Sequence, residues 1–280
     1  MSAYRFCRTD DIGLLVDAVN RCWLPYFPGE PAMTPETFKR SIRDLQVWCS
    51  SGMVAFSGPD PISVLIGAKR PSGTLIHKIA VHPDHRRQGH GRHLLTSLSS
   101  KLAILGPPRI ATEVPQTLSA ACALFKACGY VQEAVLTDYV LALGDEAAPL
   151  RVEGFVIPVT VDDLAANALL GEDQQLCWER SVETLTARKD EIAGLAVASD
   201  ERIEAFVLHL NDGEILSLRS LVEDDGARLR QLLSQLGTQG MTTLRLKKVH
   251  PAEFSIALME TLGLRPAGVH LLYAARARSN

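Results

Sequence analysis

Between residues 77 and 95 the chain reads His-Lys-Ile-Ala-Val-His-Pro-Asp-His-Arg-Arg-Gln-Gly-His-Gly-Arg-His-Leu-Leu. Two kinds of chemistry are concentrated there. Arg86, Arg87 and Arg92 place positive charge around Gly89 and Gly91, where a backbone without side chains lets a ligand come close. His77 brings an imidazole, which titrates near neutral pH and can take a proton from a reacting group. The first set suits a diphosphate, the second general-base work.

The elements that must hold these residues are legible on either side of them. Residues 75–81 form a short apolar run with β-branched members, the mark of a strand. Pro83 stops it, and 85–90 is polar. From Gly91 onward Leu94, Leu95, Leu98, Leu102 and Leu105 recur at helical spacing. A strand, a basic loop and a helix in that order aim the helix's unpaired N–H groups and the positive end of its dipole at the loop, which makes an anion site suited to a pyrophosphate. The loop lacks the Gly-Lys-Ser/Thr of an ATP-type phosphate loop. It also lacks the third glycine and the later ribose-binding acid of a dinucleotide fingerprint.

Ala80-Val81 and Arg86-Arg87-Gln88-Gly89-His90-Gly91 together resemble the acyl-CoA motif of the GNAT acyltransferase superfamily, a strand ending in Ala-Val followed by Arg/Gln-x-x-Gly-x-Gly/Ala. The resemblance implies acetyl-CoA as cosubstrate, with no metal. It places the pyrophosphate on Arg86, Arg87, Gln88, Gly89, His90, Gly91 and Arg92. It places the pantetheine and thioester along Ile79, Ala80 and Val81, where a backbone N–H polarises the carbonyl. The run His-x-x-Ala-Val-His before Arg-x-Gln-Gly-x-Gly is similar to arylalkylamine N-acetyltransferases, which carry a histidine at the position of His77.

Acyl transfer to an amine needs a base, a polarised carbonyl and a proton for the leaving thiolate. His77 is the expected base, since a period of 2 puts it on one face with Ile79 and Val81; a strand histidine bonded to a backbone carbonyl is the alternative. The acid is where the sequence departs from the family. Its frequent Leu-Tyr-x-x-x-Gly-Phe pattern is here Leu124-Phe125-Lys126-Ala127-Cys128-Gly129-Tyr130, and Phe125 has no proton to give. Tyr139, Cys128 or a water can replace it, or the thiolate can leave unprotonated. Trp23, Tyr26 and Phe27, in a proline-rich loop, either line an acceptor pocket, as that region does in the family, or cover the edge of the core.

With 280 residues, 46% hydrophobic and 22% charged, the chain can build one large or two ordinary domains. A net charge of −3 argues against a general nucleic-acid binder. No apolar run reaches the roughly 18 residues of a membrane span. Six scattered cysteines without a Cys-x-x-Cys pair argue against a disulfide framework or a zinc site and for a reducing cytoplasm.

The second half repeats the element order of the first. Strand and helix starts at 155–164 mirror those at 4–12, three strands follow at 192–222, and Leu124–Tyr130 lies in register with Leu258–Leu264. Where the first half has the basic loop, the second has Val222-Glu-Asp-Asp-Gly226, without an arginine and with three acids that repel a pyrophosphate. The expected fold is therefore α/β (α+β): two tandem GNAT-like units, each a mixed, mainly antiparallel sheet flanked by helices. Residues 1–145 would form the acyl-CoA-binding domain and 151–280 a degenerate one, joined by a linker at 144–149. The expected activity is acetyl transfer from acetyl-CoA to the primary amine of a small molecule, with no nucleic-acid or membrane partner. Two alternatives are a non-catalytic acyl-CoA sensor and a protein-interaction module.

Overall fold

In the first half the elements run β1 (Ala3–Phe6), α1 (Ile12–Cys22), α2 (Pro35–Leu45), β2 (Val47–Ser57), β3 (Asp60–Arg70), β4 (Gly73–Val81), α3 (His90–Leu105), β5 (Arg109–Pro115), α4 (Ser119–Ala127) and β6 (Val131–Ala142). The second half continues with β7 (Phe155–Pro158), α5 (Val161–Ala166), α6 (Val182–Ala187), β8 (Ala193–Ala198), β9 (Ile203–His209), β10 (Glu214–Ser220), α7 (Ala227–Thr238), β11 (Thr243–Val249), α8 (Ile256–Thr261) and β12 (Arg265–Arg276). The computed structural model describes residues 2–143, 154–171 and 177–278; the expected linker at 144–149 lies outside them.

Local chemistry accounts for the helices. α1 buries Leu15, Val16, Ala18, Val19 and Cys22 on one face. α2 starts at a capping box of Thr34 and Thr37 with Pro35 in its first turn, where a missing N–H costs nothing. α3 buries Leu94, Leu95, Leu98 and Leu102, the stripe its spacing predicts.

The chain forms two compact units, which depart from the segments 1–145 and 151–280 at their last strands. The first consists of residues 1–133 with 271–280, the second of 134–270. The strand order is β1-β2-β3-β4-β5 and then β12, from Leu271, in the first, and β7-β8-β9-β10-β11 and then β6, from Ala134, in the second. Each unit thus receives its sixth strand from the other half of the sequence. A strand's own sequence does not name the partner beside which it pairs.

Within each unit, four antiparallel strands are followed by one parallel pairing, β4 with β5 and β10 with β11. The core of the second unit brings Leu229, Leu232, Leu233 and Leu236 of α7 against Val197, Val207, Leu218, Leu244 and Leu246 of the sheet. A second cluster, with Leu164, Leu185 and Phe206, covers its other face. Among the described residues, no helix is long and apolar enough to cross a membrane, and the six cysteines are free thiols.

Candidate active site

The site begins where two strands part. β4 and β5 pair only at Thr74 with Ile110 and Leu75 with Ala111. One residue further on, the Thr112 hydroxyl donates to the Ile76 carbonyl at 3.3 Å, and no further pairing of the two strands follows. Beyond that point β4 and β5 diverge and open a gap between them.

β4 also carries a bulge. Ile66 of β3 faces Lys78 and Gly67 faces Ile76, which leaves His77 as the extra residue. A bulge bends the strand and re-aims side chains. The expectation that His77 shares a face with Ile79 and Val81 assumes an unbroken period of 2, and the register shift next to His77 interrupts that period.

After Val81 the chain turns through a short 3-10 helix, Pro83–His85, and reaches α3 through residues in unusual backbone conformations. Arg87 has φ 59° and Gly89 φ 86°. The left-handed region costs a non-glycine residue about 1–2 kcal/mol, so the fold holds Arg87 there against its preference. Gly89 is the N-cap of α3 and provides no side-chain cap, so the first-turn N–H groups face outward without a partner from their own helix. The two glycines serve different ends. Gly89 is needed for its positive φ, and a Cβ on it would meet nothing within 4 Å. Gly91 is needed for packing, since a Cβ there would come within 2.9 Å of Leu124 Cδ2. Gly91, which also lines the cleft, thus lets α4 approach as well.

Between the split strands and this loop lies a cleft of about 730 Å³. Its floor is Ile79, Ala80 and Val81, and its charged end is Arg86, Arg87 and Arg92 with Gly89, His90 and Gly91. Trp23, Tyr26 and Phe27 form one wall; Thr117, Leu118, Ser119, Ala120, Ala121 and Leu124 form the other. No carboxylate is among the described residues that line it. Of the residues the sequence singled out, Gln88 is exposed and does not line the cleft, and His77 is half-buried on β4, outside the lining. Sequence reasoning missed His85 and the α4 wall, because which face of α4 meets the cleft is decided by packing through Gly91.

Hydrogen bonds and stacking fix the aromatic wall. Tyr26 ends a 3-10 turn, Leu24–Tyr26, and its hydroxyl donates to the Val81 carbonyl at 2.6 Å. The Arg86 guanidinium lies 4.8 Å over its ring. Trp23 stacks on Phe27 at 4.5 Å, donates to Glu30 at 2.9 Å and carries the Lys78 ammonium over its ring at 4.0 Å.

At the anion end His90 is 5% exposed, and the Tyr4 hydroxyl bonds its Nδ1 at 2.6 Å. Burial lowers its pKa, and His85 and His93 lower it further. His90 is therefore neutral near pH 7, and the loop's charge comes from its arginines. Among the described residues no cluster of histidine, cysteine, aspartate and glutamate has the makings of a metal site.

Neither Phe125 nor the two side chains expected to replace its missing hydroxyl line the cleft. Phe125 is 1% exposed and packs in the core, edge-on to Tyr130 at 5.2 Å and stacked on Tyr273 at 6.2 Å. Tyr139 pairs with Leu246 in the second unit and packs against that unit's core. Cys128 is not among the lining residues, and burial raises its thiol pKa.

The second unit has the same scaffold with different contents. β10 is bulged at Leu216, four residues before its end at Ser220, as β4 is bulged at His77 four residues before Val81. Leu216 is buried in the core. α7 starts at Gly226 with φ 76°, matching Gly89. Its first turn is already occupied, because Asp224 accepts from Gly226 N at 3.1 Å and Arg228 N at 2.9 Å and pairs with the Arg228 guanidinium at 3.0 Å. Near the end of β11, Arg180 and Glu253 form a buried ion pair and Lys248 binds Glu179 at 2.7 Å.

Comparison with known proteins agrees with this geometry. Residues 16–130 match the model of the acetyltransferase (GNAT) family. No curated protein matches the chain. Among solved structures, the chain is similar to a tandem GNAT protein from the clavulanic acid biosynthesis pathway (16% identity, all of both chains covered, TM-score 0.69). It is also similar to a GCN5-related N-acetyltransferase from Sphaerobacter thermophilus (14% identity, 99% of this chain and 96% of that one, TM-score 0.69). A third, from Anabaena variabilis, shares 12% identity over 99% of this chain and 73% of that one, with a TM-score of 0.64. Over residues 16–130 the chain is similar to the acetyltransferase (GNAT) family, and over its whole length it has the fold of a tandem GNAT protein.

Proposed function

We propose that the first unit is an acyl-CoA-dependent N-acyltransferase that moves an acetyl group from acetyl-CoA to the primary amine of a small molecule, by direct attack in a ternary complex. One observation carries this reading: β4 splits from β5 beside an uncapped helix N-terminus flanked by three arginines, while the matching helix start in the second unit is filled by Asp224.

The coenzyme's diphosphate would lie on the α3 N-terminus, with Arg86, Arg87 and Arg92 neutralising it. The pantetheine arm would lie along Ile79, Ala80 and Val81 and use the backbone groups that β5 leaves free. His77 would take the amine's proton, through water because its side chain is not part of the cleft lining. The amine nitrogen then attacks the thioester carbonyl, a C–N bond forms, the C–S bond breaks and the thiolate departs. The aromatic wall of Trp23, Tyr26 and Phe27 would face the acceptor.

A second reading, acyl-CoA binding without turnover, draws on Phe125, which offers the cleft no hydroxyl. Calorimetry with acetyl-CoA beside a thiol-release assay over a panel of amines separates the two. One site per chain with thiol release supports transfer, and binding without release supports the sensor. Absence of binding would sink both.

A further inference from the structure

We propose that a groove between β1 and α3, apart from the cleft, is a second small-molecule site. It is built for a small carboxylic acid with a short apolar body, and its occupancy is felt in the cleft through Tyr4. The site itself is independent of the acyltransferase reading. Only its link to the cleft rests on acetyl-CoA binding there.

The groove follows from a second row of side chains on α3. Leu94, Leu95, Leu98 and Leu102 are the stripe that faces the core. His93, Ser97, Ser100 and Ile104, spaced by four, three and four, form another row along the same helix. With Thr96, Lys101 and Phe6 of β1 they line a groove of about 450 Å³, a size that suits a small molecule. Every lining residue belongs to the first unit, and β1 is that unit's outermost strand.

Its contents select the ligand. Lys101 supplies a positive charge and His93 an imidazole, and no carboxylate is among the lining residues. The Lys101 ammonium donates to the Ser50 carbonyl and lies 4.1 Å over the Phe6 ring, which fixes it at the groove wall. Among the described residues no carboxylate pairs with it, and burial lowers its pKa. A partly desolvated cation without a counter-ion favours a bound anion. Thr96 donates its hydroxyl to the Arg92 and His93 carbonyls at 3.0 and 3.1 Å. The hydroxyls of Ser97 and Ser100 have no protein partner among the described residues and can donate to a carboxylate. Phe6 and Ile104, the latter 78% exposed, offer apolar surface to the rest of the ligand. An amine of the same shape would meet the Lys101 charge and be repelled.

One side chain joins this groove to the cleft. The His93 ring lies 3.8 Å from that of Tyr4. The Tyr4 hydroxyl bonds His90 Nδ1 at 2.6 Å, and His90 lines the anion end of the cleft. A ligand bonded to His93 loads the ring against which Tyr4 rests, and so acts on the bond that orients His90. Such a linkage is reciprocal: acetyl-CoA changes the acid's affinity by the factor the acid changes its own.

The test is calorimetry on the full chain with hexanoate, and with hexylamine as a probe of the same length and opposite charge. One saturable hexanoate site per chain, with no hexylamine binding, is the expected result. Lys101→Gln should weaken hexanoate about 10-fold, the scale of one charge-assisted contact. Ser100→Trp, which fills the groove, should abolish binding, with thermal melts checking that both variants fold. Saturating hexanoate should shift the acetyl-CoA Kd about 5-fold, and Tyr4→Phe should erase that shift while hexanoate affinity stays within about 2-fold of wild type. Absence of a hexanoate site, or equal binding of hexylamine, would overturn the proposal. So would hexanoate binding that both groove variants leave unchanged, which would put the acid at the arginine loop instead. An unshifted acetyl-CoA Kd would overturn the link through Tyr4. No acetyl-CoA binding by the wild-type chain would overturn the acyl-CoA reading and the link with it, whereas the hexanoate titration judges the groove by itself.

Discussion

At the start of α3 the chain leaves its first-turn N–H groups uncapped and surrounds them with Arg86, Arg87 and Arg92. At the start of α7, behind the same left-handed glycine, Asp224 folds back onto the N–H groups of Gly226 and Arg228. The two helix starts present the same electrostatic demand, a negative charge at the positive end of a dipole. One would meet it with a ligand, while the other meets it with its own carboxylate. The bulges make a parallel contrast: β4 puts an imidazole there, and β10 puts Leu216 into the core. The same scaffold thus accommodates a helix start left open and one closed by the chain's own carboxylate.

The most damaging change to this contrast should be Arg86→Ala with Arg87→Ala. Two charge-assisted contacts at about 1.5–3 kcal/mol each predict a loss of acetyl-CoA affinity of about 1,000-fold by calorimetry. Unchanged affinity would mean that the α3 start does not hold the diphosphate, and the contrast with α7 would lose its functional meaning.

Next comes His77→Leu, which copies the second unit's residue into the first. General-base loss predicts a kcat decrease of about 100-fold, with acetyl-CoA affinity unchanged. The pH–rate profile should lose the acid-side fall that protonation of the imidazole causes. A profile that keeps its shape would remove His77 from the chemistry.

Asp224→Ala tests the other side. Losing a helix cap and its ion pair should lower stability by about 2 kcal/mol in a denaturant melt. Burial opposes ionisation of Asp224, but hydrogen bonds from Arg228 and Gly226 and the charge of Arg228 outweigh it and lower its pKa from 3.8. A lowered carboxyl pKa stabilises the fold above the ordinary value, and that stability is lost as pH falls through the lowered one. The gap between wild type and variant should therefore be full at neutral pH and close in strong acid. Calorimetry should still count one acetyl-CoA per chain, because the α7 start has no arginine cluster to replace the carboxylate's role.

The smallest effect separates the glycines. Gly89→Ala forces a side chain into φ 86° and should destabilise by about 1 kcal/mol, with weaker acetyl-CoA binding. Gly91→Ala needs only a shift of the flexible Leu124 end and should disturb the cleft wall more than the melt.

Removing residues 150–280 is not a clean way to isolate the first unit, because 271–280 belong to it. That dependence was invisible in the sequence. Residues 137–143 and 269–275 read alike as the closing strand of each half, and a strand's sequence does not state beside whom it lies. The bulge at His77 was equally hidden, since it exists only in the register between β3 and β4. So was the filling of the α7 start: three acids in a row announced repulsion of a phosphate, but which of them would cap the helix depended on the turn's geometry.

What the sequence determined by itself was local. Glycines, a proline and arginines within ten residues specify a turn, a helix start and a positive charge, because those properties belong to single residues and their immediate neighbours. The repeated element order was legible for the same reason, through hydrophobic periods that each segment carries alone. Only the tertiary structure decided where β4 leaves β5, which wall Tyr26 and α4 build, that Phe125 sinks into the core and that the last strands are exchanged. These depend on contacts between segments far apart in the chain, where several partners satisfy the same pattern and packing selects among them.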